Sequence, residues 1–367
     1  MIIIPYYSVI GGWVLKYFVT FLTGSGQASA EDGYFGGFIT SQVEPIVYMV
    51  IFLLATAFII FLGVEKGIES VSKILMPILI VLVIGIAIFS LTIKHEDADG
   101  TIRTGLEGLK IYLVPSLAGK SFKDILVVIM DAMGQLFYSL SIAMGIMVAY
   151  GSYVRDEDNL MRSINQIEIF DTFVAFFAGV MIIPAVYAFT GVEGMSAGPG
   201  LMFVSMPKIF NEMGTAGTII GVVFFLMVIF AALTSCISIM EAIVASFMDK
   251  FGISRKKATV IETCIALVFA VFVCLGYNKL YFEYTLPNGA VAQILDIMDY
   301  ISNNIMMPIV AIGTCILIGW VVKPDYIIEE VTRNDAKFNR KSLYKVMIRF
   351  IAPVLLLVLF LQALGIL

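Results

Sequence analysis

Polar side chains recur at helical spacing in the middle of one long apolar stretch, where they could bind a cation or a carboxylate. Asp131, Gln135 and Ser139 are four residues apart and therefore share one face of a helix. Such side chains are costly inside a membrane helix unless they face a cavity or one another. The surrounding run GQLFYSLS at 134–141 is rich in small and polar residues. It predicts either a broken helix with exposed backbone groups or a straight helix with a small-residue packing seam.

A second polar cluster lies in the run AALTSCISIME, where Thr234, Ser238 and Glu241 share one helix face. The adjacent hydroxyls of Thr234 and Ser235, with the carbonyl of Ala231, would form a site of hard oxygens that suits a small cation. The alternative is that Thr234 and Ser235 only bond back to carbonyls one turn earlier. Taken alone, the cluster favours that alternative.

Asp171 lies at the beginning of an apolar segment predicted at 168–190. One interpretation is a carboxylate that neutralises a bound cation. The other is an acidic residue that the dipole of a helix N-terminus stabilises, and Asp171 considered alone favours it.

The composition requires that lipid, and not water, surrounds much of the apolar surface of this protein. Hydrophobic residues make up 60% of the chain and charged residues 14%, with a mean hydropathy of +0.98, whereas soluble domains have about 25% charged residues. The sequence contains no basic stripe with interleaved aromatics, which argues against nucleic-acid binding. It contains no Ser-His-Asp set, HExxH, P-loop or dinucleotide-binding motif, so it does not predict an enzyme.

Nine apolar segments are long enough, or nearly so, to cross a bilayer as helices. They are predicted near 1–23, 43–63, 72–93, 122–151, 168–190, 216–248, 258–276, 303–322 and 344–366. Lys and Arg are concentrated in alternate loops, the richest of which runs from Lys323 to Lys345. These loops are therefore predicted to be cytoplasmic, which puts the start of the chain inside and its end outside.

The order of several motifs resembles the neurotransmitter:sodium symporter family, in its bacterial amino-acid-transporting branch. The motifs are YYSVIGGW (6–13), VEKGIESVSKILMP (64–77), GLEGLKIYLVPSL (105–117), DAMGQLFYSLSIAMG (131–145), YGSYV (150–154), FAALTSCISIM (230–240), SRKKA (254–258) and DIMDY (296–300). The resemblance implies an all-α polytopic membrane protein with the inverted-repeat, broken-helix transporter fold. The match begins at the third helix of the family, so residues 1–367 are expected to form a single, N-terminally truncated transmembrane domain that corresponds to helices three to eleven.

The resemblance also implies a set of substrate-binding residues. Tyr7 matches a tyrosine that contacts the substrate carboxylate, and Tyr138 stands where the family usually has a gating phenylalanine. Together with Asp299, which matches an acid of the outer vestibule, these two form the expected gate. The arginine partner of Asp299 would lie on an absent helix, so Asp299 is expected to be unpaired. The full set of expected substrate-binding residues is Ile3, Tyr7, Tyr138, Ser139, Ser141, Met144, Ser235 and Ile239.

Two sodium sites follow from the same resemblance. Ser139 and Asp171 match ligands of the first site, and the Ala231 carbonyl, Thr234 and Ser235 match ligands of the second. The position of Asp171 is commonly Asn in the family. An acid there resembles the chloride-independent members, in which a fixed carboxylate replaces the chloride ion, so chloride is not expected to be required.

The expected function is sodium-coupled symport of an apolar or aromatic amino acid into the cell by alternating access, in the plasma membrane. The expected partners are the amino acid, sodium and the lipid bilayer, and a homodimer is a candidate assembly. One alternative is a non-transporting truncated remnant or scaffold. Another is a channel or a different transporter with the same inverted repeat.

Overall fold

A computed structural model describes most of the chain as helices. Because backbone groups cannot remain unpaired in hydrocarbon, apolar segments of this length satisfy them within helices. The residues that the structure describes are 1–96, 100–116, 119–155, 157–192, 195, 198–333 and 337–366.

The helices are numbered here in chain order. In chain order they are α1 (Ile3–Leu22), α2 (Tyr34–Thr40), α3 (Glu44–Leu62), α4 (Val64–Thr92), α5 (Gly105–Leu113), α6 (Phe122–Ser139), α7 (Ile146–Gly151), α8 (Leu160–Thr190), α9 (Met206–Glu212), α10 (Thr215–Phe251), α11 (Arg255–Leu275), α12 (Ile294–Val322), α13 (Pro324–Val331) and α14 (Lys341–Ala363). Two antiparallel strand pairs lie in loops: β1 (Lys94–Glu96) with β2 (Ile102–Thr104), and β3 (Tyr284–Thr285) with β4 (Val291–Ala292).

Each of the nine predicted apolar segments contains a helix. Seven helices in the described part of the chain are long and apolar enough to span a membrane, namely α3, α4, α8, α10, α11, α12 and α14. The other two predicted spans coincide with α1, which has 20 residues, and with the 18-residue α6 and the short α7. Lys16 in α1 and Asp131 in α6 make these two helices more polar. The total of nine spans stays a prediction.

Two stretches of α12 are wound as π-helix, at Tyr300–Met306 and Leu317–Val322. A π-helical turn holds one more residue than an α-helical turn and frequently occurs at functional sites. In the second stretch, the Gly319 carbonyl accepts a hydrogen bond of 2.9 Å from Nε of Arg349 in α14. The two helices are thereby joined at this crossing.

The core is built around α1, which packs against α3, α10 and α11. Its Trp13 and Tyr17 are almost fully buried. The Tyr17 hydroxyl donates to the Phe203 carbonyl at 2.8 Å, and the Trp13 and Phe203 rings meet edge to face with centroids 5.8 Å apart. These aromatic contacts fix α1 against the segment that precedes α9.

The crossing of α1 and α3 depends on a glycine. A methyl group on Gly12 would lie 2.6 Å from the backbone nitrogen of Met49 and 2.8 Å from its Cα. Backbone atoms of a packed helix cannot move aside as a flexible side chain can. Small residues at helix crossings in membranes allow this close approach.

A buried ion pair joins α10 to the beginning of α11. The Glu241 side chain is fully buried, and both of its oxygens accept hydrogen bonds from the Arg255 guanidinium, at 2.5 and 2.8 Å. The Tyr153 hydroxyl, just after α7, donates to the same carboxylate at 2.5 Å. The carboxylate therefore connects three segments of the chain.

We expect Gly12→Ala to destabilise the protein by about 1–3 kcal/mol, because the added methyl group forces α1 and α3 apart. Thermal unfolding of the purified protein in detergent measures this. Gly85→Ala in α4 is the control, because a methyl group there meets nothing within 4 Å. A melting temperature of Gly12→Ala equal to that of the wild type would show that the crossing is not tight.

We expect Arg255→Gln to cost about 3 kcal/mol or more, because it leaves a fully buried carboxylate without its cation. Glu241→Gln should cost less, since the Arg255 side chain is 19% exposed and can reach water. The same unfolding assay compares the two variants. Lys73→Gln removes an exposed pair with Glu69 and should leave the melting temperature unchanged. The reverse order of Arg255→Gln and Glu241→Gln would contradict this account.

Candidate substrate and sodium site

The helix formed by α6 and α7 is broken in the middle. Regular helix stops at Ser139 and resumes at Ile146. Between them, Ser141 (φ 53°), Ala143 (φ 64°) and Gly145 (φ 84°) have left-handed backbone conformations. The broken-helix prediction is confirmed, and the straight helix with a packing seam is wrong. Left-handed conformations at non-glycine residues cost about 1–2 kcal/mol each, so the surrounding structure must hold this segment in place.

Ser139, at the end of α6, contacts Asp171 of α8. The Ser139 hydroxyl donates to Oδ1 of Asp171 at 2.5 Å, a short hydrogen bond typical of a charged acceptor. Asp171 is half-buried. It lies well inside α8, which begins at Leu160, so the helix-dipole interpretation of Asp171 is wrong: the dipole acts only within the first turn. The two residues predicted for the first sodium site therefore meet at the helix break.

The second set of predicted sodium ligands lies along α10, which is continuous through this region. The Thr234 hydroxyl donates to the carbonyls of Phe230 and Ala231, at 2.9 and 3.1 Å. The back-bonding interpretation is therefore confirmed for Thr234. A hydroxyl that donates to a carbonyl keeps its lone pairs for a cation, so this bond is compatible with a ligand role. Ala231 and Ser235 are both exposed.

Tyr7 of α1 connects the two regions. Its hydroxyl reaches the side chain of Ser235, and Tyr138 lies near both Tyr7 and Asp299. The apolar members of the predicted pocket pack within one continuous hydrophobic cluster: Ile3, Tyr7, Met144 and Ile239. Ser141 is half-buried in the break. Residues from α1, α10 and the α6–α7 segment thus converge on one part of the molecule.

A cavity of about 670 Å³ lies beside this region, between α6, α12 and α14. Tyr138 and Asp299 line it, as do Asp131 and Gln135, which lie two turns and one turn before Ser139 respectively. The polar face predicted on α6 is therefore divided between two environments. Asp131 and Gln135 face the cavity, whereas Ser139 turns toward Asp171.

Asp299 has a polar partner that the sequence did not predict. Nδ2 of Asn303 donates to Oδ1 of Asp299 at 2.6 Å and also lies 3.2 Å from the Tyr6 hydroxyl. The Tyr6 hydroxyl is 3.3 Å from Oγ of Ser302. No arginine pairs with Asp299 in the described part of the chain, but the expectation that this acid would be unpartnered is wrong, because an amide one turn away reaches it.

Two sequence motifs without a predicted role contain residues that contact α10. In YGSYV, the Tyr150 hydroxyl lies 2.7 Å from Oγ of Ser238, and Tyr153 contacts Glu241. In SRKKA, Arg255 completes the buried pair with Glu241. The signal available in the sequence was Glu241 itself, because an acid inside an apolar helix needs a cation nearby.

Comparisons with known proteins agree with this architecture. The profile described as the sodium:neurotransmitter symporter family matches residues 39–366. The sodium-dependent transporter YhdH of Bacillus subtilis (strain 168) is 31% identical over 371 residues, which cover 100% of this chain and 78% of that relative. A sodium-dependent transporter of Haemophilus influenzae is 30% identical, with 98% and 76% covered.

A solved structure is similar over nearly the whole chain. The crystal structure of MhsT in complex with L-phenylalanine matches with a TM-score of 0.82 and 34% sequence identity, covering 99% of this chain and 78% of that one. The expectation that the first two family helices are absent stays a prediction. The fold of this chain is that of a multi-pass membrane transporter and not of an enzyme, and the chain belongs to the sodium:neurotransmitter symporter family.

Proposed function

We propose that this sodium-dependent transporter carries an apolar or aromatic amino acid into the cell, with the substrate bound at the break between α6 and α7. The observation that carries the proposal is the contact between Ser139 and Asp171, which places a hydroxyl and a carboxylate beside exposed backbone. The structure of the relative MhsT with L-phenylalanine supports an amino-acid substrate with an apolar side chain. A non-transporting remnant or scaffold is not favoured, because the similarity to transporters extends over the whole chain.

Ser139 and Asp171 would hold the first sodium ion. The Ser139 hydroxyl donates a hydrogen bond to the carboxylate. When sodium lies between them, the hydroxyl rotates and offers a lone pair, and both oxygens face the cation. A buried cation favours a nearby negative charge, and Asp171 supplies it permanently. For this reason we propose that chloride is not required.

The second sodium ion would bind along α10, to the Ala231 carbonyl and the hydroxyls of Thr234 and Ser235. Three neutral oxygens within about one turn of the helix suit a small hard cation. Ser235 also interacts with Tyr7, which is expected to contact the substrate carboxylate. Sodium bound at this position would therefore affect both α10 and the binding of the substrate.

The walls of the proposed substrate pocket are mostly apolar. Ile3, Met144 and Ile239, which match pocket positions of the family, would surround the substrate side chain, and all three pack in the hydrophobic core. Met144 is flexible and can adapt to a bulky side chain. Ser139 and Ser141 supply polar groups at the break, and Tyr7 and Tyr138 would close over the substrate. Asp299 would act at the outer side of this gate, in the cavity that Tyr138 also lines.

Sodium binding and rocking of the helices would drive transport. Sodium would stabilise the outward-open form and complete the substrate site, and rocking would then release both inward. Each sodium ion that moves inward across 100 mV contributes about 2.3 kcal/mol. The homodimer expected from the resemblance stays a prediction.

We expect the purified protein to bind radiolabelled phenylalanine or leucine at least about tenfold more tightly in sodium than in potassium, a difference of about 1.4 kcal/mol. Equilibrium binding in detergent at matched ionic strength measures this. Glutamate, whose side chain is charged, serves as the control ligand and should not bind in either salt. Equal affinity for phenylalanine and leucine in the two salts would refute sodium coupling at this site.

We expect Asp171→Asn to make sodium-dependent binding require chloride, or to abolish it, because the fixed negative charge beside the cation is lost. Binding is compared in sodium chloride and sodium gluconate. Asp131→Asn is the matched control, since it neutralises an acid that lines the neighbouring cavity instead. If Asp171→Asn binds substrate as the wild type does in both salts, Asp171 does not have the proposed role.

A further inference from the structure

Two adjoining cavities lie at the beginning of α8, on the predicted cytoplasmic side. One has a volume of about 410 Å³ and a mainly polar lining that includes Arg162, Gln166 and Lys337. The other has a volume of about 350 Å³ and is lined by side chains of α8, α13 and α14. Met161 and Asn165 line both cavities, so the two form one continuous groove. The apolar side chains of the second cavity are Ile164, Ile327, Val331, Phe338, Leu343 and Met347.

The walls of the groove are fixed to one another by ion pairs. Arg340, just before α14, lies 3.2 Å from Glu168 of α8. Lys345 of α14 lies 2.5 Å from Asp325 of α13, and this contact lowers the pKa of the Asp325 carboxyl. The two pairs link all three wall helices at the surface.

The polar end of the groove carries positive charge that the described part of the chain does not neutralise. Arg162 and Lys337 are exposed, and neither makes an ion pair with a described residue. Among the described lining residues of both cavities, Glu168 is the one carboxylate, and Arg340 neutralises it. Oδ1 of Asn165 is buried and has no hydrogen-bond donor. This end of the groove thus offers two cations and a free acceptor.

The groove has the position and shape expected of a lipid site. The spans α8 and α14 both begin beside it, and Arg162 in the first turn of α8 and Lys337 before α14 lie on the side predicted to be cytoplasmic. The basic cavity suits the phosphate of a lipid, and the apolar cavity that adjoins it suits an acyl chain of the same lipid. Basic groups at the cytoplasmic membrane surface attract anionic lipids.

We propose that this groove binds an anionic glycerophospholipid of the cytoplasmic leaflet. Arg162 and Lys337 contact the phosphate, Asn165 accepts a hydrogen bond from a hydroxyl of the headgroup, and one acyl chain lies between α8, α13 and α14. Phosphatidylglycerol has all three of these features and is the probe for the test.

The test is native mass spectrometry of the full chain, released from membranes that contain equal amounts of phosphatidylglycerol and phosphatidylcholine. The wild type should retain phosphatidylglycerol in preference to phosphatidylcholine. Arg162→Gln and Lys337→Gln should each reduce that preference about fivefold, which corresponds to about 1 kcal/mol per cation. Arg162→Lys, which keeps the charge, should retain most of it.

Two further variants distinguish lipid binding in this groove from attraction to general surface charge and from binding of the phosphate alone. The double variant Lys66→Gln, Lys257→Gln removes cations elsewhere on the predicted cytoplasmic side and should leave the preference unchanged. Val331→Trp fills the apolar cavity and should reduce lipid retention although both cations remain. Melting temperatures in phosphatidylcholine confirm that each variant folds.

Three results would overturn the proposal. They are equal retention of the two lipids by the wild type, an equal loss in the Lys66 and Lys257 control, and full displacement of the lipid by free glycerol 3-phosphate. The last result would identify a site for soluble phosphate instead of a lipid. Substrate binding is measured separately in sodium, so a failure of the lipid site leaves the proposed transport function untouched.

Discussion

The structure depends on one constraint: a helix can be interrupted inside a membrane only where protein or a cavity surrounds the freed polar groups. The break between α6 and α7 meets this constraint through its neighbours. Ser139 bonds to Asp171 of α8, and the adjacent Tyr138 interacts with Tyr7 of α1. Without these helices beside it, the segment at 140–145 would be too costly to maintain. The groups that make the break tolerable include Ser139 and Asp171, which we propose to hold a sodium ion.

The rigid parts of the molecule surround this irregular segment. Helix α1 contacts α3, α10 and α11 through aromatic and glycine packing, and α10 continues without interruption past Thr234. The short helix α7 is joined to α10 by Tyr150 and, just beyond its end, by Tyr153. One half of the broken helix is therefore held against α10, whereas α6 contacts α8 and the cavity beside α12 and α14. The break therefore lies between α6 and α7, which pack against different neighbours.

The sequence predicted the helices well, because apolar length acts locally, and it gave the break as one of two alternatives for the small and polar residues at 134–141. It could not predict where side chains between helices meet. Asp171 was assigned to the beginning of a helix because the apolar run begins there, but α8 extends back to Leu160 through polar residues such as Asn165 and Glu168. Asp299 was expected to lack a partner, and Asn303 supplies one from the next turn. The pairing of Glu241 with Arg255 depends on how α10 and α11 turn toward each other after Phe251, which spacing alone does not reveal.

The π-helical stretch at Tyr300–Met306 determines the side of α12 that faces each neighbouring helix. An extra residue in one turn rotates every later side chain of the helix by about 100° around the helix axis, compared with an uninterrupted α-helix. Asp299 and Asn303 thus reach the Tyr6 hydroxyl and the cavity, while the later Gly319 faces Arg349. Removing one residue from this stretch would leave a regular and equally apolar helix. Asp299 and Gly319 could then no longer both face their present partners. The number of residues in this stretch therefore matters for the fold, although hydropathy does not detect it.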